Sequence, residues 1–361
     1  MKRMISIIAL LLAPILLLTA CAMPAVKAKD AAPADGHDFN ADYETENNEN
    51  DGNTRVWPWE DPSITLPAFT GTVTPAGTIK SLKILAIGDA STRDSLYYVP
   101  ELAKEAGITD INITVLYING NKGSLESHWT NWNNKRDNYT QYENKGDGWV
   151  TVSTKITAQE AMQSDKWDYC ILNQSIADSG IAGSITASNF GNLVQGVSFM
   201  LTSKSSSNPN PNYNTKAKLL WLQTWTYEIN NRNNLYNGFK NYSNDQQAMY
   251  TAINDAITSK VTPNTKIKGV IPVGTAIQNM REAYWSDGLT KDAEYLSNTG
   301  KVAASVAIFK YITGYDINGM TMSDSVFDHA RPHLNVIKES ANNAYLNPYA
   351  VTPSVYDTLD K

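Results

Sequence analysis

Few side chains in this 361-residue sequence combine the types and spacing that chemistry needs. Ser91 lies in the turn Gly88-Asp89-Ala90-Ser91-Thr92, and His128 lies in the stretch Leu125-Glu126-Ser127-His128-Trp129. A hydroxyl and an imidazole can work as nucleophile and base once a fold brings them within hydrogen-bond reach. Their separation in the chain does not enforce that pairing. Ser91 or Thr92 serves equally well as the cap of a helix beginning near Arg93, and His128 as a structural hydrogen-bond partner. His329 and His333 stand four apart, a spacing that puts two imidazoles on one helical face. Pro332 interrupts that face and no glutamate completes a zinc-protease pattern, so no metal and no cofactor is expected. His37 sits in a polar stretch near the amino terminus.

A second chemistry is written in aromatic and amide residues. The chain has nine Trp and nineteen Tyr. Two places concentrate them: His128 to Asn134, with Trp129 and Trp132, and Gln223 to Tyr227, with Trp225. Flat rings stack on sugar C–H faces, and side-chain amides match hydroxyl groups. Trp132, between polar neighbours, is expected at the surface; Trp129 and Trp225 fit ligand contact and core packing equally well. The expected partner is a polysaccharide or oligosaccharide. A formal charge of −6 argues against nucleic acid, because phosphate binding needs a basic surface.

The elements that must hold these residues alternate. Short apolar runs of strand length occupy Leu82 to Ile87, Ile111 to Ile118, Trp167 to Leu172, Leu219 to Trp225 and Ile267 to Pro272. Amphipathic stretches lie between them: Asp94 to Ala106, Thr157 to Ser164, Ala187 to Leu201 and Asp245 to Ser259. Ala276 to Trp285 and Thr299 to Ile312 follow the last strand. Five strands joined by helical crossovers imply an α/β fold, a doubly wound (flavodoxin-like), mostly parallel five-stranded sheet. Ligands of such sheets bind outside the carboxyl ends of the strands, where every candidate above falls.

Taken together, the strand-end segments resemble the blocks of the SGNH (GDSL-like) hydrolases. The segments are Gly88-Asp89-Ala90-Ser91-Thr92, Asn119-Gly120 through His128-Trp129, Asn173-Gln174-Ser175, Pro272-Val273-Gly274-Thr275-Ala276-Ile277-Gln278-Asn279 and Asp287-Gly288-Leu289-Thr290. They are most similar to an SGNH-like family of bacterial lipoproteins, over about Leu82 to Tyr349. That resemblance implies ester hydrolysis, often of acyl groups on carbohydrates, with Gly120 and an amide of Asn173 or Gln174 as oxyanion donors and Asp287 as the acid orienting the base. Two positions depart from the pattern: Ala90 stands where the nucleophile belongs and Thr290 where the base belongs. Losing either group in a well-studied serine hydrolase costs roughly a factor of 10⁶ in turnover. The expectation is therefore a glycan-binding pseudo-esterase, with an active carbohydrate esterase using Ser91 as the alternative.

The amino terminus sets the compartment. Lys2 and Arg3 precede the apolar run Ile5 to Leu18, too short for a membrane span, and Leu18-Thr19-Ala20-Cys21 resembles a bacterial lipoprotein signal. In that reading residues 1–20 are removed, and residues 21–61 are an acylated cysteine and a polar tether. Residues 62–80 form an extended arm, and 81–361 the SGNH-hydrolase-like domain. The protein would then be lipid-anchored in the cell envelope, with the outer membrane as the expected location. Cys170 alone would remain as a thiol, which leaves no intramolecular disulfide and no zinc-cysteine cluster. If Cys21 carries the lipid, Cys21→Ser moves the protein from the membrane pellet to the soluble secreted fraction in a fractionation experiment. Unchanged sedimentation with membranes would refute the anchor.

Overall fold

The structure is a computed structural model that describes residues 62–118, 123–229, 237–285, 288–291 and 295–357. The expected leader and tether, Cys21, Gly120 and Asp287 lie outside the described residues. Seven strands form one sheet: β1 (Ser81–Gly88), β2 (Asp110–Ile118), β3 (Tyr139–Asn144), β4 (Trp149–Ile156), β5 (Tyr169–Leu172), β6 (Lys218–Leu222) and β7 (Ile267–Ile271), in the spatial order β4-β3-β2-β1-β5-β6-β7. From β2 to β7 the neighbours β2-β1, β1-β5, β5-β6 and β6-β7 are parallel. The expected sheet of five strands is thus corrected to seven. The addition is the antiparallel hairpin β3–β4, which extends the sheet beyond β2. Its strands read YTQYEN and WVTVSTKI, with too many polar residues for the apolar-run signal, and β4 has most of its side chains in solvent. The connection turns through Gly146 and Gly148, both at φ near +100°, a conformation that glycine adopts without strain.

Nine α-helices flank the sheet among the described residues: α1 (Ala90–Leu96), α2 (Val99–Glu105), α3 (Leu125–Asn133), α4 (Ala158–Gln163), α5 (Asn192–Thr202), α6 (Gln246–Ala256), α7 (Val273–Met280), α8 (Asn298–Thr313) and α9 (Leu334–Leu346). The single amphipathic stretch expected from Asp94 to Ala106 is two helices, because Pro100 starts a new one in its first turn. α8 packs against α1, α2, α7 and α9, while α3, α4 and α5 pack on one another. Being covered on several sides, α8 is apolar or buried around nearly its whole circumference. Ser297 caps its start and Gly314, at φ +68°, ends it in a left-handed turn. The parallel strands are equally dry: Ile84, Leu85, Ala86 and Ile87 of β1 are all buried.

The asparagine-rich loop between α5 and β6 is a brace rather than a sugar-facing surface. Asn208, Asn210, Asn212 and Asn214 alternate along it, and each side-chain amide donates to a backbone carbonyl of a neighbouring segment. Asn210 is buried; its Nδ2 donates to Met162 O at 3.2 Å and Met200 O at 3.0 Å, and its Oδ1 accepts from Asn212 N at 2.9 Å. Those carbonyls have no water to turn to. Asn210→Ala should therefore lower stability by about 2–3 kcal/mol, read as a shift in urea midpoint at unchanged slope. A shift below about 0.5 kcal/mol would show that the ladder is ornamental, as for an ordinary surface substitution.

Candidate functional site

The chain order changes direction at β1: β2 lies on one side, while β5, β6 and β7 follow on the other. In such sheets this is the point where ligands bind, outside the carboxyl ends of the strands. The turn after β1 begins with Gly88. A Cβ on this residue would stand 1.8 Å from Thr92 Oγ1 and 2.7 Å from Asn173 Oδ1, so only glycine fits. Asp89 caps α1 with a capping box, its Oδ1 accepting from Ser91 N at 3.0 Å while Asp89 N donates to Thr92 Oγ1 at 3.2 Å. Ala90, expected at the nucleophile position, is the first residue of the helix and 8% exposed.

Ser91 does not take over that position. Its side chain is fully buried, and Oγ donates to Asp89 Oδ1 at 2.5 Å and accepts from Asn173 Nδ2 at 3.4 Å. Burial pushes the Asp89 carboxyl above its usual range, against the opposing pull of its hydrogen bonds from Ser91 and Thr92. His128 is not its partner either. It is buried on α3, stacked on Tyr139 with ring centroids 5.9 Å apart, and Nδ1 is 3.0 Å from the Tyr139 hydroxyl. Its Nε2 faces the Gly123 backbone, which runs between it and Asp89: a Cβ on Gly123 would lie 3.0 Å from Nε2 and 2.8 Å from Asp89 Cβ. Burial holds the imidazole neutral, its pKa lowered to about 4.

The amides expected as oxyanion donors are bound internally. Asn173 Oδ1 accepts from Thr92 Oγ1 at 2.7 Å, and its Nδ2 also donates to Gln174 O at 3.1 Å. Gln174 Oε1 accepts from Leu125 N at 2.8 Å and Ser175 N at 3.0 Å, while Nε2 donates to Ser184 Oγ at 2.9 Å. These two residues therefore knit the ends of β1, β5 and α3 together. Thr290 is buried and donates through Oγ1 to Glu228 Oε2 at 3.0 Å. It is bridged to Leu296, whose amide donates to Asp94 Oδ2 at 3.2 Å. Asp94 lies one turn beyond Ala90, so the segment with the base position is fastened to the helix with the nucleophile position. Neither Asp94 nor Glu228 was a sequence candidate. Asp94 carried a signal, its i+4 spacing from Ala90; Glu228 carried none, since only the fold brings it to Thr290.

The aromatic expectations divide. Trp132, expected at the surface, is only 9% exposed: its indole packs on α5, where a Cβ on Gly196 would lie 2.5 Å from Nε1. A nine-residue helix with a buried face, rather than a loop, turned it inward. Trp225 is fully buried, and Trp129 is half-buried against the core edge. His329 and His333 stand in the 3₁₀ segment Ser325–His333 with Pro332 inside it. Among the described residues no group of three or more His, Cys, Asp or Glu is placed to hold a metal. Cys170 is buried in β5 with its thiol pushed up to about 12, an inert core residue.

Residues 83–344 match the family described as a domain of unknown function, DUF4886. Among solved structures, the chain is similar to a crystal structure of a DUF4886 family protein from Bacteroides uniformis, with a TM-score of 0.63 and 29% identity, covering 75% of this chain and 97% of that one. A second, from Slackia heliotrinireducens and described as "a putative SGNH hydrolase", gives 13% identity and a TM-score of 0.39 over 64% of this chain and 99% of that one. That likeness is too slight to argue from. No curated protein matches the chain.

The neutral burial of His128 has a pH signature. Its folded pKa of about 4 lies below the ordinary 6.5, so the unfolded chain binds the proton more readily between those values. The stability His128 contributes is present above pH 6.5 and is lost as pH falls towards 4, by up to about 1.4 kcal/mol per pH unit. Urea denaturation at pH 7, 6 and 5 should show a shallower pH slope in His128→Gln than in the parent protein. Identical slopes would mean that the imidazole titrates normally.

Proposed function

We propose that this chain, a member of the DUF4886 family, is a glycan-binding pseudo-esterase: an SGNH-like, doubly wound (flavodoxin-like) scaffold without serine-hydrolase chemistry, held in the cell envelope through a lipid on Cys21. The observation that carries the reading is the state of Ser91. Ala90 supplies no nucleophile, and the neighbouring hydroxyl is buried and committed to Asp89. A hydroxyl attacks an acyl carbon only with a base in reach of its proton and an accessible line of approach, and Ser91 has neither His128 nor solvent beside it. Thr290, hydrogen-bonded to Glu228, supplies no base at neutral pH.

Support for a sugar ligand comes from what lines the strand ends. Trp129 is half-buried and Glu126 exposed, three residues apart on α3. A ring face with a carboxylate on the same helix face suits stacking on a pyranose and accepting from its hydroxyls. The formal charge of −6 favours a neutral glycan over nucleic acid or another polyanion. A shallow site of this kind binds weakly, with Kd on the order of 10 μM to 1 mM.

Two measurements test the proposal separately. Purified protein should turn over aryl acetates and acetylated oligosaccharides no faster than buffer, while Ala90→Ser combined with Thr290→His gains measurable hydrolysis that neither single change gives. Activity in the unaltered protein that disappears in Ser91→Ala would make it an esterase instead. Affinity electrophoresis against a panel of plant and host polysaccharides should show retardation that Trp129→Ala weakens at least fivefold. No retardation by any of them would remove the glycan from the proposal and leave the loss of catalysis standing.

A further inference from the structure

The arm meets the body at a buried lysine. Lys310, in the last turn of α8, is fully buried, and its Nζ lies 3.5 Å over the ring of Phe69 and 5.2 Å from the ring centre of Tyr345. Its single hydrogen bond runs to Tyr315 O at 2.9 Å. An ammonium group has three donors, and this one is offered one carbonyl and two ring faces, with no carboxylate in contact. Phe69 is the side of the enclosure that the arm supplies. Its ring also meets Tyr345 edge-on at 5.7 Å, and Gly71 gives it room, since a Cβ there would lie 2.5 Å from the Phe69 ring.

The rest of the attachment is sparse. Pro67 O accepts from Asn318 Nδ2 at 3.0 Å, Thr74 N donates to Gly314 O at 2.9 Å, and Ile79 N donates to the Tyr315 hydroxyl at 2.9 Å. From residue 62 to 80 no side chain is fully buried. Ile64 and Ile79 rest partly buried on the core edge, while α8 is covered mainly by α1, α2, α7 and α9.

We propose that residues 64–74 are a strap, latched by Phe69 over the Lys310 ammonium group, which opens as a unit while the body stays folded. Closing it strips water from a cation that gains only partial replacement, and opening it returns that water. Closed and open states are therefore close in free energy, unlike the strands. The lowered pKa of Lys310, about 8 through burial with Asp316 opposing, reports the same incomplete compensation. Everything amino-terminal to residue 62 is joined to the body through this segment, so a pull on that end reaches the latch first. Release of the strap lengthens the connection by roughly 35 Å of extended chain. The inference stands independently of the glycan reading.

Amine acetylation by a water-soluble succinimidyl ester, followed peptide by peptide, tests it in the full chain. Lys310 should react at least tenfold more slowly than exposed Lys216 and Lys260 in the unaltered protein. In Phe69→Ala it should approach them, while Lys301 and Lys338, buried on α8 and α9, stay protected. Lys310 remaining protected in Phe69→Ala, or Lys301 and Lys338 reacting in step with it, would overturn the strap. Hydrogen exchange on the unaltered protein gives a check that needs no variant: the Thr74 amide should exchange at least a hundredfold faster than those of Ile84 to Ile87. Equal protection would mean that the arm opens only when the body unfolds.

Discussion

A hydroxyl and an amide that meet at 2.7 Å, Thr92 and Asn173, fasten the start of α1 to the end of β5, and the site region is organised around that contact. It exists because Gly88 has no side chain to stand between them. The same turn places Asp89 as the cap of α1, sets Ala90 at the first helical position and directs Ser91 inward. With Asn173 fixed, Gln174 follows in register and reaches Leu125 N and Ser184. The ends of two parallel strands and the start of a third helix are thereby held by side-chain hydrogen bonds, those of Thr92 and Leu125 fully buried and so expensive to leave unmade.

None of these contacts uses the side chain at position 90. An alanine at the first helical position leaves the cap, the brace and the glycine contact untouched. Thr290 shows the same at the other position: its hydroxyl finds Glu228, so no polar group is stranded. The helix face that holds Ala90 also holds Asp94, which ties down the Leu296 segment, and this bond needs no catalytic partner.

On α8 and α9 the protein meets a different constraint. Lys310 and Lys338 are buried without a carboxylate in contact, and both use carbonyls of the segment after α8: Tyr315 O for Lys310, Asn318 O and Met320 O for Lys338. Loop carbonyls outside any helix or strand keep lone pairs free, so they can accept from an ammonium group. Burial lowers both pKa values, since each ammonium group has given up water for carbonyl acceptors alone. The arm docks on that corner.

The sequence by itself determined the alternation of five apolar runs with helices, and with it an α/β fold whose parallel strands the structure contains. Continuous apolar runs are unmistakable because parallel strands are buried on both faces. The hairpin β3–β4 was not legible: an edge pair with polar faces satisfies its backbone through pairing that no single segment announces. Only tertiary structure decided the direction of side chains. Trp132 went into the core because the segment around it is a helix packed on Gly196, and Ser91 went inward because Asp89 and Asn173 wait there. The pairing of Thr290 with Glu228, 62 residues apart, was equally beyond reach. Local spacing fixes which residue types are available; which hydroxyl meets which carboxylate depends on where distant strand ends converge.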